Sequence, residues 1–261
     1  MRRVFPGGSN VTIYRTGDVT VVEAARLTDV EADDVGVAVA TAVASGPRAV
    51  VLSLPPRCPD AETGVLRVLT GAAALARDWA GVPVVVACPD AGLRPLLETH
   101  ASSAHLRFTP TVQLALAAVL RSAPPVMVSR RLAPHPTAPR AARDFVSRAL
   151  LDWRLAQRIP AAVLVASELV TNAMLHARTR IDLTVATHDG SVRICVSDEI
   201  PDMTSVRQAS PAAVNGRSQE LERVGRGLAV VAVLSQRWGV LPTENGGKAV
   251  WAVLGETRVL P

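Results

Sequence analysis

The stretch from Ala161 to Ala177 reads Ala-Ala-Val-Leu-Val-Ala-Ser-Glu-Leu-Val-Thr-Asn-Ala-Met-Leu-His-Ala. Val163, Ala166, Val170, Ala173 and Ala177 recur at steps of three and four, the spacing of the core face of an amphipathic helix. Glu168, Asn172 and His176 recur at steps of four, which predicts that they share the opposite side. A helix buried on one face would then carry a carboxylate, an amide and an imidazole on the other. A carboxylate can serve as a base, and an amide oxygen is a hard ligand suited to Mg²⁺. Three polar residues at this spacing also describe an ordinary solvated face, so the segments around the helix decide between the two.

Downstream, Arg180 to His188 alternates polar and apolar residues, with Ile181, Leu183 and Val185 on one face. Asp189-Gly190 signals a tight hairpin, and Ser191 to Asp198 pairs back with Val192, Ile194 and Val196 inward. Glu199 to Arg223 is polar and irregular, and a loop of that length inside a compact domain is usually functional, so a lid is expected. Gly225-Arg226-Gly227-Leu228 opens an apolar helix that runs to about Gln236. Two strands follow, Trp238 to Leu241 and Lys248 to Leu254, joined by Glu244-Asn245-Gly246-Gly247. Upstream, Val126 to Leu132 reads as a strand and Thr137 to Trp153 as an arginine-rich helix. Glycines at a helix start let backbone approach an anion, and free N–H groups with the positive dipole end favour phosphate there.

In this order the residues resemble the Bergerat-type ATP-binding fold shared by gyrase, sensor histidine kinases and anti-sigma-factor serine kinases. Glu168-Leu169-Val170-Thr171-Asn172-Ala173 with His176-Ala177 looks like that family's N box. Asp198 sits where the first glycine box has its adenine-reading aspartate, although the stretch here reads Asp198-Glu199-Ile200-Pro201-Asp202, without glycine. Gly225-Arg226-Gly227-Leu228 looks like the second glycine box. Trp238-Gly239-Val240 and Gly246-Gly247-Lys248-Ala249-Val250-Trp251 resemble the closing strands of the anti-sigma-factor kinase branch, whose threonine near the adenine falls at Ala249. The resemblance implies that ATP and Mg²⁺ are the cofactors. It implies a nucleotide-binding set of Asn172, His176, Asp198, Gly225, Arg226 and Gly227, with Asn172 holding the metal. It implies that Glu168 is the catalytic base that activates a substrate hydroxyl. Phosphoryl transfer depends mainly on positioning and charge neutralisation, so so short a set could suffice.

The N-terminal half carries no comparable constellation. Gly17 to Glu23 reads as a strand, Thr28 or Asp29 caps a helix to about Ser45, and Arg48 to Leu54 is an apolar run typical of a strand buried on both faces. A helix over Asp60 to Trp79, a strand over Val82 to Cys88, and helices over Asp90 to Thr99 and Thr111 to Arg121 complete a predicted, mainly parallel sheet covered by helices. This order loosely resembles a STAS domain, the fold of anti-sigma-factor antagonists. In that family a serine opening the first helix after the buried strand is phosphorylated. Here Glu62 falls at its position and Thr63 follows. Ala123-Pro124-Pro125 and Pro134-His135-Pro136 mark the boundary.

The expected architecture is therefore a two-domain α/β chain. Residues 1–122 would form the STAS-like α/β sheet domain, 123–136 the linker and first strand of the next domain, and 126–261 a Bergerat-type, histidine-kinase-like α/β sandwich ATPase domain. At 261 residues and 49% hydrophobic the chain can bury sizeable cores. No apolar run reaches the ~18 residues of a spanning helix, and Met1-Arg2-Arg3 has no apolar segment behind it. The three cysteines are scattered, as expected of a reducing cytoplasm. The net charge of +5 is carried by dispersed arginines, Lys248 being the only lysine, and aromatics are 3%, so direct nucleic-acid binding and membrane attachment are not expected.

The reading is an ATP-dependent protein serine/threonine kinase of the anti-sigma-factor type, cytoplasmic, regulating transcription. Its partners would be a sigma factor, an anti-sigma-factor antagonist protein, or both, and a homodimer stays open. The alternatives are a non-catalytic protein-interaction regulator on a degenerate ATPase fold, and the same fold serving a different signalling output.

Overall fold

A computed structural model of the protein describes residues 2–4, 10–28, 31–57, 62–78, 82–100, 105–122, 124, 126–177, 179–188, 190–200, 226–243 and 246–255. The chain divides into two compact units, Met1–Pro125 and Val126–Pro261.

The first unit is built on a six-stranded sheet in sequential order. β1 (Arg2–Val4), β2 (Val11–Thr16) and β3 (Val19–Ala24) are antiparallel, and β3, β4 (Ala49–Ser53), β5 (Val84–Ala87) and β6 (Arg107–Thr109) are parallel. All five residues of β4 are buried, which is why its sequence shows no alternation. One of its faces, Ala49 and Val51, packs with Val19, Val21, Val85 and Ala87 under Ala115 and Val119 of α4 (Val112–Arg121). The parallel crossovers carry α1 (Glu31–Ala44), α2 (Glu62–Asp78) and α3 (Leu93–Thr99), and α1 lies over β2, β3 and β4 and against α2. Successive right-handed crossovers that each step to the next strand put their helices on one face, and α4, after the last strand, covers the other.

Arg48 and Asp90 are among the side chains that fix helix ends here. Arg48 Nη2 donates to the carbonyls of Val119, Leu120 and Ser122 at 3.4, 3.3 and 2.7 Å, closing the C-terminus of α4. Asp90 Oδ1 accepts from the Gly92 and Leu93 amides at 2.9 and 3.0 Å, and these bonds, that from Leu93 foremost, hold its carboxyl below the ordinary aspartate value. The sequence reading did not identify β1, β2 and β6. β6 has only three residues, and the Arg15-Thr16 end of β2 is exposed, so neither shows the apolar run of a central strand.

The second unit is a five-stranded antiparallel sheet, order β10-β11-β9-β8-β7, made of β7 (Val126–Leu132), β8 (Ile181–His188), β9 (Ser191–Asp198), β10 (Arg237–Pro242) and β11 (Lys248–Leu254). Among the described residues three α-helices accompany it: α5 (Ala138–Asp152), α6 (Ile159–His176) and α7 (Arg226–Leu234). Ile181 and Leu183 of β8, Val192, Ile194 and Val196 of β9 and Leu254 of β11 meet Val146, Leu150, Val165, Leu169 and Val231 in one core. The other face of β9 holds Arg193 and Cys195, both buried. Burial lowers the Arg193 guanidinium to about 10 and raises the Cys195 thiol to about 11.

The helix that organised the sequence reading is the inner one, packed on α5, α7 and β9. With the 3₁₀ turn before it, Ala156–His176 is long and apolar enough to cross a membrane by length and composition, although polar residues interrupt its apolar runs. Its buried stripe is Ala162, Val165, Ala166, Leu169, Val170 and Ala173, while Val163 is only partly buried. The core face is thus rotated from the expected one, and Glu168 and Asn172 lie on the helix flank, half-buried, not on the solvent side.

Candidate functional site

Glu168 and Asn172 are one helical turn apart on α6, and the start of α7 is set against them. A Cβ added to Gly227, the second residue of α7, would lie 2.6 Å from Glu168 Oε2 and 3.5 Å from both Asn172 Oδ1 and Nδ2. A side chain here would oblige the Glu168 carboxylate to swing aside, while the Asn172 amide lies at ordinary contact distance. Apolar residues hold the arrangement: Val231 of α7 is fully buried in the same core as Val165 and Leu169, so packing fixes the approach of the two helices. On the other flank, Arg143 Nη1 of α5 donates to Ser167 Oγ at 2.7 Å, tying α5 to the residue before Glu168.

The second group lies at the end of β9. Asp198 is 5% exposed and stands directly across the ladder from Lys248, the first residue of β11, which is 7% exposed. Lys248 Nζ is 3.2 Å from Asp198 Oδ1, and the same oxygen accepts from the Ile200 amide at 3.0 Å. The strands approach closely just before this pair. A Cβ at Gly247 would fall 1.9 Å from the Asp198 carbonyl oxygen and 2.8 Å from Glu199 Cα, so no side chain fits there without moving backbone. The chain leaving Asp198 is held by the Glu199 amide donating to Thr179 Oγ1 at 3.2 Å and by an Arg180–Glu199 ion pair at 3.0 Å.

The residues singled out from the sequence therefore fall into two groups. Glu168, Asn172 and Gly227 come together, and Asp198 is paired with Lys248 on the adjoining strand. His176 is exposed and ends α6, one turn beyond Asn172. Gly225, the loop expected as a lid over most of its length and the side chain of Arg226 lie outside the described residues, as do the side chains of Glu62 and Thr63. Ala249, where the resemblance places a threonine, pairs with Ser197, and it is Lys248 that faces Asp198. The sequence reading did not identify Lys248 as a site residue, although its being the only lysine was a signal.

The donors present fit a nucleotide with Mg²⁺. Asn172 offers a hard oxygen ligand, and the bare backbone at Gly227 leaves a cradle that a Cβ would fill. Among the described residues no cluster of three or more His, Cys, Asp or Glu could cage a metal ion.

Residues 132–254 match the family model of the histidine kinase-like ATPase domain, so the second unit carries a domain of this kind. The match runs from the end of β7 to the end of β11 and contains both groups of residues described above. A family of ATPase domains implies ATP as ligand, usually with Mg²⁺. No curated protein matches the chain.

Proposed function

We propose that this histidine kinase-like ATPase domain binds ATP with Mg²⁺ and transfers the terminal phosphoryl group to a serine or threonine of a partner protein, as an anti-sigma-factor-type kinase. The observation that carries the proposal is Gly227, whose missing side chain brings the start of α7 against both Glu168 and Asn172. Asn172 would hold Mg²⁺, which when bound neutralises phosphate charge. The N-terminus of α7 would offer backbone N–H groups to the phosphates. Asp198 would accept from the adenine amino group, and Glu168, half-buried beside Gly227, would take the proton of the attacking hydroxyl.

The first unit would be a STAS-like domain acting on the kinase half in the same chain. What supports this is the sheet with four parallel strands and the start of α2 at Glu62, soon after the fully buried strand β4. Tethering gives an effective concentration on the order of millimolar, so a weak contact would be populated. Glu62 carries negative charge and cannot accept phosphate, so the unit would modulate rather than serve as substrate at that position. The partners would be a sigma factor, an antagonist protein, or both.

A second reading is favoured by two observations. The first glycine box lacks its glycines, and Asp198 is already engaged by Lys248. In that reading the domain binds nucleotide weakly or not at all and acts through protein contacts. Calorimetric titration of the full chain with ATP and Mg²⁺ separates the two. Saturable binding below millimolar nucleotide is expected, and absence of heat at millimolar nucleotide would leave only the non-catalytic regulator.

A further inference from the structure

We propose that Lys248 is a base-reading residue, donating to the purine ring nitrogen next to the amino group that Asp198 accepts. This rests on the nucleotide reading above and adds a residue and a specificity to it. Lys248 is the cross-strand partner of Asp198, and the two side chains are 9% and 3% exposed, with Nζ 3.2 Å from Oδ1. Both hydrogen bonds to the carboxylate among the described residues, from Lys248 Nζ and from the Ile200 amide, use Oδ1. Among the described residues no hydrogen bond uses Oδ2, the oxygen that would serve a ligand. The ammonium has three donors, of which Asp198 uses one. A carboxylate oxygen beside an ammonium is an acceptor next to a donor. The Watson–Crick edge of adenine is the complement, an amino donor next to the ring acceptor N1.

Three further features favour this role over a purely structural ion pair. Burying two charges brings a desolvation cost that well-packed apolar residues avoid, so stability alone does not call for the pair. The choice of cation also matters in a chain whose other basic residues, histidine aside, are all arginine. A guanidinium would engage a carboxylate through a planar fork and tend to take both oxygens, whereas an ammonium is a compact point charge that leaves one free. The backbone is also tight here: a Cβ at Gly247 would fall 1.9 Å from the Asp198 carbonyl, beside the register that sets position 248 opposite position 198.

The test compares ATP with 1-deaza-ATP, in which the ring N1 is a C–H, on the full chain with Mg²⁺ by calorimetry. Wild type should bind the deaza analogue at least tenfold more weakly than ATP. In Lys248→Met the ratio should fall to near one, with ATP bound about as weakly as wild type binds the analogue. Lys248→Arg, which keeps the charge if the methionine variant does not fold, should also lose the discrimination. Wild-type discrimination retained in a folded Lys248→Met or in Lys248→Arg would overturn the assignment while leaving ATP binding intact. Tighter ATP binding by Lys248→Met would overturn it too, since Lys248 would then be blocking Asp198. Failure of the wild type to bind ATP at all would overturn the nucleotide reading itself.

Discussion

Gly227→Ala separates a structural from a functional role at the junction of α6 and α7. The added Cβ would stand 2.6 Å from Glu168 Oε2, whereas ordinary contact begins at 3.4 Å, so the carboxylate must retreat by about 0.8 Å (3.4 − 2.6). The obstructing atom is the free end of a side chain, so the adjustment is a rotamer shift costing about 0.5–1.5 kcal/mol. Against that, alanine in place of glycine contributes up to roughly 0.5–1 kcal/mol, the full value belonging to a helix interior and less to the second residue of α7. The two largely offset each other, and the melting temperature should stay within about 4 °C of wild type, the shift that ~1 kcal/mol produces in a domain of well over 100 residues. Function should not be spared. Displacement of a reacting group by an ångström can cost on the order of 10²-fold in rate. Crowding of the backbone that approaches the phosphates should also weaken ATP by about tenfold, roughly 1.4 kcal/mol. Thermal melting paired with ATP–Mg²⁺ calorimetry reads both quantities on one sample. A folded variant with wild-type affinity would refute the argument, because Gly227 would then be a helix-start residue with no part in the site.

Asn172→Ala should abolish ATP–Mg²⁺ binding, whereas Glu168→Ala should keep it and lose phosphoryl transfer. Transfer at the wild-type rate by the Glu168 variant, measured with radiolabelled ATP, would remove that residue from the chemistry. Asp198→Asn should weaken ATP by ~1–3 kcal/mol, the scale for a mispaired buried polar group, and equal affinities in calorimetry would contradict that. Cys88 and Cys195 are buried and burial raises both thiols, Cys195 to about 11, so both should resist a thiol reagent at pH 8 until denaturant is added. Peptide mapping that finds Cys195 modified in the native protein would show that this face of β9 opens. Because two amide donors lower the Asp90 carboxyl, its contribution to stability is present above the ordinary value of 3.8 and is lost as pH falls through the lowered one. The stability gap between wild type and Asp90→Ala should therefore narrow on acidification below about pH 4, and a gap independent of pH would contradict the capping role.

What could be read from the sequence divides along physical lines. The strands of the second unit were legible because each has one face in the core: Ile181, Leu183 and Val185 alternate with polar residues, and the Asp189-Gly190 signal in the sequence predicts the pairing seen between β8 and β9. The helices α5, α6 and α7 were legible from periodicity, but the rotation of α6 was not. Alanine fills Ala162, Ala166 and Ala173 on the buried stripe and also Ala161 beside it, so small residues mark the helix without marking which side faces the sheet. The consequence falls on the site, since a rotation by part of a turn moves Glu168 and Asn172 from solvent to the flank where α7 packs.

The partnerships were the least legible part, because they depend on distances between residues far apart in the chain. Gly227 and Glu168 are 59 positions apart, and Asp198 and Lys248 are 50. A Gly-x-Gly at a helix start is common wherever chains turn, and it becomes evidence only when a Cβ there would strike a carboxylate. The same holds for Gly247, which looks like part of an Asn-Gly-Gly turn yet is constrained by the Asp198 backbone across the ladder. Had β11 paired with β9 one residue out of register, Ala249 would stand opposite Asp198. The carboxylate would then have no counter-charge, and Lys248 would turn to the other face of the sheet. The glycine therefore bears on the chemistry of its neighbours by letting the strands meet closely beside the register that sets Lys248 opposite Asp198. Gly247→Ala should accordingly weaken nucleotide binding by shifting both members of the Asp198–Lys248 pair, although residue 247 supplies neither charge nor donor.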